Sequence, residues 1–161
     1  MSTIHPVPAE WAARAKINAE RYAELYRESL DHPDTFWRRE TQRLDWAKPW
    51  TELTTSSFHE ADFGVRWFAD GELNVAHNCV DRHLRDRADQ PAIIWEPDSP
   101  NEPGRTLSYA QLHEAVCRLA NALLSLGIRK GDRVTIYLPM IPEAAISMLA
   151  CARIGAIHSV V

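Results

Sequence analysis

Two pairs of metal-capable side chains recur at helical spacing in this sequence. Cys79 with His83, and His113 with Cys117, are each four residues apart, so each pair would share one face of a helix. Two thiolates and two imidazoles could together complete a tetrahedral zinc site. The same positions are also placed to pack, because cysteine behaves as a small hydrophobe. Packing is the favoured reading, and no metal ligand is assigned.

Nucleophilic chemistry has two candidate constellations, and both are weak. Ser159 adjoins His158, but neighbours on a strand point to opposite faces and cannot form a nucleophile–base pair. Asp81, Arg82 and His83 have a catalytic composition. On a helix they would fan out over roughly 200° and fit a salt-bridged surface better. Phosphate binding lacks its usual marker, since neither G-x-G-x-x-G nor G-x-x-x-x-G-K-[ST] occurs. The loops that would follow the strands hold Pro97, Pro100 and Pro103, or Pro139 and Pro142, and proline has no N–H to offer a phosphate. The residues themselves therefore give no catalytic, cofactor-binding or metal site.

The elements that would carry such groups are clearer. Asn18 is placed to cap a helix with Tyr22, Leu25, Tyr26 and Leu30 on one side, and Pro33 stops it. Asp34 can cap the next helix, bearing Phe36 and Trp37. Asp70-Gly71 predicts a tight hairpin turn. Asn74 predicts the cap of a helix running to about Ala88, with Asp81–Arg85 and Arg82–Asp86 as i,i+4 pairs. Ala92–Glu96 is a strand candidate. Ser108 caps a long amphipathic helix that ends at Gly127. Arg133–Leu138 is a second strand, Pro142 opens another helix ending at Gly155, and Ala156–Val161 is a third strand.

That order predicts an α/β fold with parallel strands and right-handed crossovers. Parallel strands need cover on both faces, and the last predicted strand is Ala156–Val161. A half-built sheet predicts that the chain is part of something larger.

The composition is ordinary for a globular protein of 161 residues, with 45% hydrophobic and 25% charged residues. Six Trp give ample core material, and a net charge of -4 without a basic face argues against nucleic-acid binding. Three separated cysteines argue against a disulfide framework and for reduced thiols in the cytoplasm. The first twenty residues hold no continuous apolar run, and no stretch is long enough to span a bilayer.

Several stretches then carry a resemblance. YAELYRESLDHPDTFW, HNCVDRHL, AIIWE and LSYAQLHEAVCRLANALLSLGIRKGDRVTIYLPMIPEAAISMLACARIGAIHSVV closely resemble the AMP-forming acetyl-CoA synthetases, within the adenylate-forming acyl-CoA synthetase family. The resemblance runs from about Asn18 to Val161. It implies a helical N-terminal extension over residues 1–85 and, over residues 86–161, the first βαβαβ part of the adenylate-forming large domain, incomplete.

It also implies acetate, ATP and CoA as substrates of the whole enzyme, with Mg2+, and a product set of acetyl-CoA, AMP and pyrophosphate. The family's phosphate loop, acyl pocket, adenine segment and catalytic lysine would lie beyond Val161. Lys16, Lys48 and Lys130 match none of the catalytic positions. The chain alone is therefore expected to be inactive and to bind none of these groups well. A propionyl- or acetoacetyl-CoA synthetase part, a non-catalytic interaction module and a zinc module are the alternatives.

Overall fold

The computed structural model describes residues 5–161, which divide into two compact units. The first comprises the chain up to Arg43 together with Leu53–Trp67, and the second Leu44–Glu52 with Phe68–Val161. No helix among the described residues is long and apolar enough to cross a membrane.

In the first unit, α1 (Ala9–Arg14) precedes α2 (Ala19–Asp31) and α3 (Pro33–Glu40). The Asn18 side chain accepts a hydrogen bond from the Arg21 N–H at 2.8 Å, the cap expected from sequence. Pro33 ends α2 and also occupies the first turn of α3, where its missing N–H costs nothing. His32, and not Asp34, stands at the cap of α3, because the proline fixes the boundary two residues earlier. Arg39 joins α3 to α2 by a fork onto both Glu28 oxygens, at 2.5 and 2.9 Å. Tyr22 and Tyr26 stack with ring centres 6.1 Å apart on an exposed face. Strands β1 (Thr54–Ser57) and β2 (Gly64–Trp67) form an antiparallel hairpin.

The hairpin expected at Asp70-Gly71 does not form there. Phe68 takes the positive φ, at 52°, and Asp70 instead holds the segment before β1. Its carboxylate accepts from the Thr51 hydroxyl at 2.6 Å and from the Thr51 N–H at 3.0 Å. Gly71 is required by proximity: a Cβ there would lie 2.8 Å from the Trp46 ring and 3.0 Å from the Trp50 Cβ.

The second unit carries the rest. The helix expected to run to Ala88 is divided into α4 (Val75–Cys79), a 3-10 turn (Asp81–His83) and α5 (Leu84–Arg87). Asn74 caps α4 as expected, at 3.2 Å from the His77 N–H. The break removes the helical register expected for the pairs Asp81–Arg85 and Arg82–Asp86. Asp81 turns to Arg153, and Arg82 to Asn78 at 3.0 Å and Asp45 at 3.7 Å.

Strand β3 (Pro91–Trp95) supplies a further correction. It pairs antiparallel with β4 (Arg105–Ser108), in register Ile93↔Leu107, Ile94↔Thr106 and Trp95↔Arg105. The sequence reading placed β4 inside a loop and β3 in a parallel sheet. A parallel partner needs a crossover of about a dozen residues or more, whereas residues 96–104 are rich in Pro and Gly and simply reverse the chain. The α/β class itself is borne out, and β5 (Arg133–Ile136) and β6 (Ile157–Val160) are parallel, joined by α7 (Pro142–Ile154).

Between them, α6 (Tyr109–Ser125) opens with a complete capping box, Ser108 and Gln111 each satisfying the other's backbone N–H. The core of this unit is Val80, Leu112, Val116, Ala120, Ile146 and Ala150, where α4, α6 and α7 meet. Burying those side chains, at about 25 cal/mol per Å² of apolar surface, is what holds the three helices together.

Candidate functional site

In α/β proteins ligands collect beyond the C-terminal ends of strands. Here the loops after β3 and β5 enclose an open crevice of about 710 Å³. Trp95, Pro139, Met140 and Ile141 form its apolar wall, and Glu96, Asp98 and Glu102 its polar rim. The Trp95 indole N–H donates to the Met140 carbonyl at 2.7 Å and ties the two loops together. Lysine and arginine are absent from the lining. With prolines where donors are needed, the crevice cannot cradle a triphosphate. The residues present thus do not fit the triphosphate of ATP.

Beside it, Arg105 of β4 donates to Glu143 in the first turn of α7 at 2.8 Å. That bond is the main cause holding the Glu143 carboxyl below its usual range. The pair borders a wide groove of about 840 Å³ along β4, α6 and α7.

A second polar centre gathers on Asp81. Arg153 of α7 donates to its Oδ1, His113 Nε2 lies 3.6 Å from the same oxygen, and His77 Nδ1 lies 3.8 Å from Oδ2. Asn74 extends it, its amide donating to the carbonyls of Ala152 and Arg153 at 3.2 and 3.1 Å in the last turn of α7. The arrangement fastens α4 and α6 to the end of α7. It is a structural clamp.

The singled-out residues scatter. His113 and Cys117 do meet, with Nε2 and Sγ 3.5 Å apart. His83 instead faces the Tyr109 ring, with centres 5.1 Å apart, and Cys79 is exposed. Among the described residues no group of three or more His, Cys, Asp or Glu side chains is arranged to hold a metal ion. Burial pushes the Cys151 thiol up, away from the reactive thiolate. His158 and Ser159 lie on the exposed strand β6, and Lys130 lays its stem against Gly155. Sequence reasoning missed the contacts Asp81–Arg153, Asn74–Ala152 and Trp95–Met140, whose partners lie 72, 78 and 45 positions apart. No local pattern could have signalled them.

Residues 80–161 match the family model described as AMP-binding enzyme. The chain belongs to the AMP-binding enzyme family. Residues 22–79 match a second model of this group, described as acetyl-coenzyme A synthetase N-terminus. An acetyl-coenzyme A synthetase of Novosphingobium aromaticivorans is 60% identical over 98% of the chain, which covers 24% of that relative. One from Xanthomonas campestris pv. campestris is 56% identical over 100% of the chain and 25% of the relative. The chain therefore spans about a quarter of the length of the curated relatives it matches. Among solved structures, an acetoacetyl-CoA synthetase from Streptomyces lividans superposes with a TM-score of 0.77. It has 33% sequence identity, over 94% of this chain and 23% of that one. The resemblance read from the sequence is borne out.

Proposed function

We propose that this chain is the N-terminal part of a cytoplasmic acetate–CoA ligase of the AMP-forming kind. Residues 1–85 are its family-specific extension and residues 86–161 the start of its adenylate-forming domain. The observation that carries this reading is continuity: an acetyl-CoA synthetase relative matches 158 residues at 60% identity.

Acetate is a poor electrophile, because its anionic carboxylate is resonance-stabilised. The whole enzyme would join it to the α-phosphate of ATP as acetyl-AMP, releasing pyrophosphate. The CoA thiol would then displace AMP to give acetyl-CoA. Magnesium, when bound, would balance phosphate charge.

This chain's own residues would supply scaffold. The helices α6 and α7 back the first parallel strands, and the Asp81 clamp fixes their ends. Alone, the chain would be inactive and would bind ATP, CoA and Mg2+ poorly.

The test is an assay of a longer gene product that contains these residues, comparing acetate, propionate and acetoacetate. A kcat/KM highest for acetate supports the reading. Preference for acetoacetate would favour the second reading, for which the superposition on the Streptomyces lividans structure is the supporting observation.

A further inference from the structure

His77 of α4 lies between two carboxylates. Its Nε2 is 3.4 Å from Asp45 Oδ2, and its Nδ1 is 3.8 Å from Asp81 Oδ2. We propose that His77 is a proton-operated strut. As the imidazolium it ties the Leu44–Glu52 segment to the Asp81–His83 turn, and as the neutral ring it lets one of them go.

A carboxylate only accepts hydrogen bonds, whereas a neutral imidazole carries one N–H and one lone pair. Whichever tautomer the neutral ring adopts, its lone pair faces one of the two acids. The doubly protonated ring alone offers a donor and a positive charge to both. Both acids are anchored by other bonds. The Asp45 N–H donates to Asn78 Oδ1 at 2.8 Å, and its carbonyl accepts from Asn78 Nδ2 at 3.0 Å. Asp81 accepts from Arg153 of α7. Two further charged or titratable groups face the acids. Arg82 Nη1 is 3.7 Å from Asp45 Oδ1, and His113 Nε2 of α6 is 3.6 Å from Asp81 Oδ1. Arg82 and Arg153 keep one cation on each acid at any pH, so the proton on His77 decides whether the two acids are joined. All these residues lie in the second unit, so the strut needs nothing outside this chain and is independent of the ligase reading. The tie is present where the ring is protonated. It is lost as pH rises through about 5 to 8, where histidine changes charge.

The experiment compares urea midpoints of the full chain and of His77→Gln at about pH 5.5 and about pH 8. Glutamine keeps a donor and an acceptor but cannot become a cation. The other histidines are common to both proteins and cancel in the difference. The variant is expected to have the lower midpoint at the acid pH and to match the parent at the alkaline one. In an Asp45→Asn background the acid-side loss is expected to shrink. Both positions are about half exposed, and circular dichroism checks that the variants keep their helices.

Nitrogen NMR shifts of the His77 ring give a second readout that needs no unfolding transition. At about pH 6.5 the doubly protonated fraction is expected to be larger in the parent than in Asp45→Asn. No loss at the acid pH, an equal or larger loss at the alkaline pH, or a protonated fraction that Asp45→Asn leaves unchanged would overturn the proposal.

Discussion

Asp70 shows how a single side chain can escape its local signal. Its sequence neighbour Gly71 suggests a hairpin, yet the carboxylate is spent on Thr51, which lies 19 positions away. The Thr51 hydroxyl and N–H are the leading causes that hold the Asp70 carboxyl at about 2, against an ordinary value of 3.8. A depressed carboxyl stabilises the fold above its unfolded value and loses that contribution as pH falls toward the folded one. Thr51→Val is therefore expected to move the Asp70 titration up toward 3.8, read by NMR. Its stability deficit relative to the parent should be full above about pH 4 and shrink as pH falls toward 2.

Asp81 makes the complementary case. Asp81→Asn keeps the shape but removes the charge that faces half-buried Arg153. A loss of about 1.5–3 kcal/mol is expected, measured by urea denaturation. An unchanged midpoint would mean that the clamp contributes nothing. At this scale the caps Asn18, Asn74 and Ser108 were legible because the residue and the N–H it serves are three positions apart. Asp81–Arg153 was not, because only the fold brings its partners together.

Among the elements, the helices were read better than the strands. The apolar steps of α6 and its capping box are local chemistry, and so is the glycine that ends α7. Gly155 takes a left-handed φ of 74°, and a Cβ there would fall 2.9 Å from Lys130 Cγ. Gly155→Ala is expected to cost about 1 kcal/mol or more, from backbone strain together with displacement of the lysine stem. Thermal denaturation checks this, and a gain in stability would contradict it. Strand β4 was illegible because its four residues give too short an alternation to stand out from a Pro- and Gly-rich loop. The division of α4 from α5 was illegible for another reason. Val80, fully buried in the core, and the bond from Asn78 to the Asp45 carbonyl at 3.0 Å set the break, and both depend on distant packing. Tertiary contact overrode a helical periodicity that was otherwise sound.

For the whole molecule, the parallel pair β5–β6 is incompletely covered, with every residue of β6 exposed. Ile136 and Ala156 are buried, whereas Tyr137, Ile157 and Val160 are exposed. Such strands gain their stability from cover on both faces. A chain that spans about a quarter of its relatives, and whose loops after β3 and β5 lack lysine and arginine, is on this account expected to serve as scaffold. The most direct measurement of that claim is AMP release by the purified 161-residue chain given ATP, acetate, CoA and magnesium. The account predicts a rate no higher than the blank without protein. Acetate-dependent AMP formation matched by acetyl-CoA would contradict it.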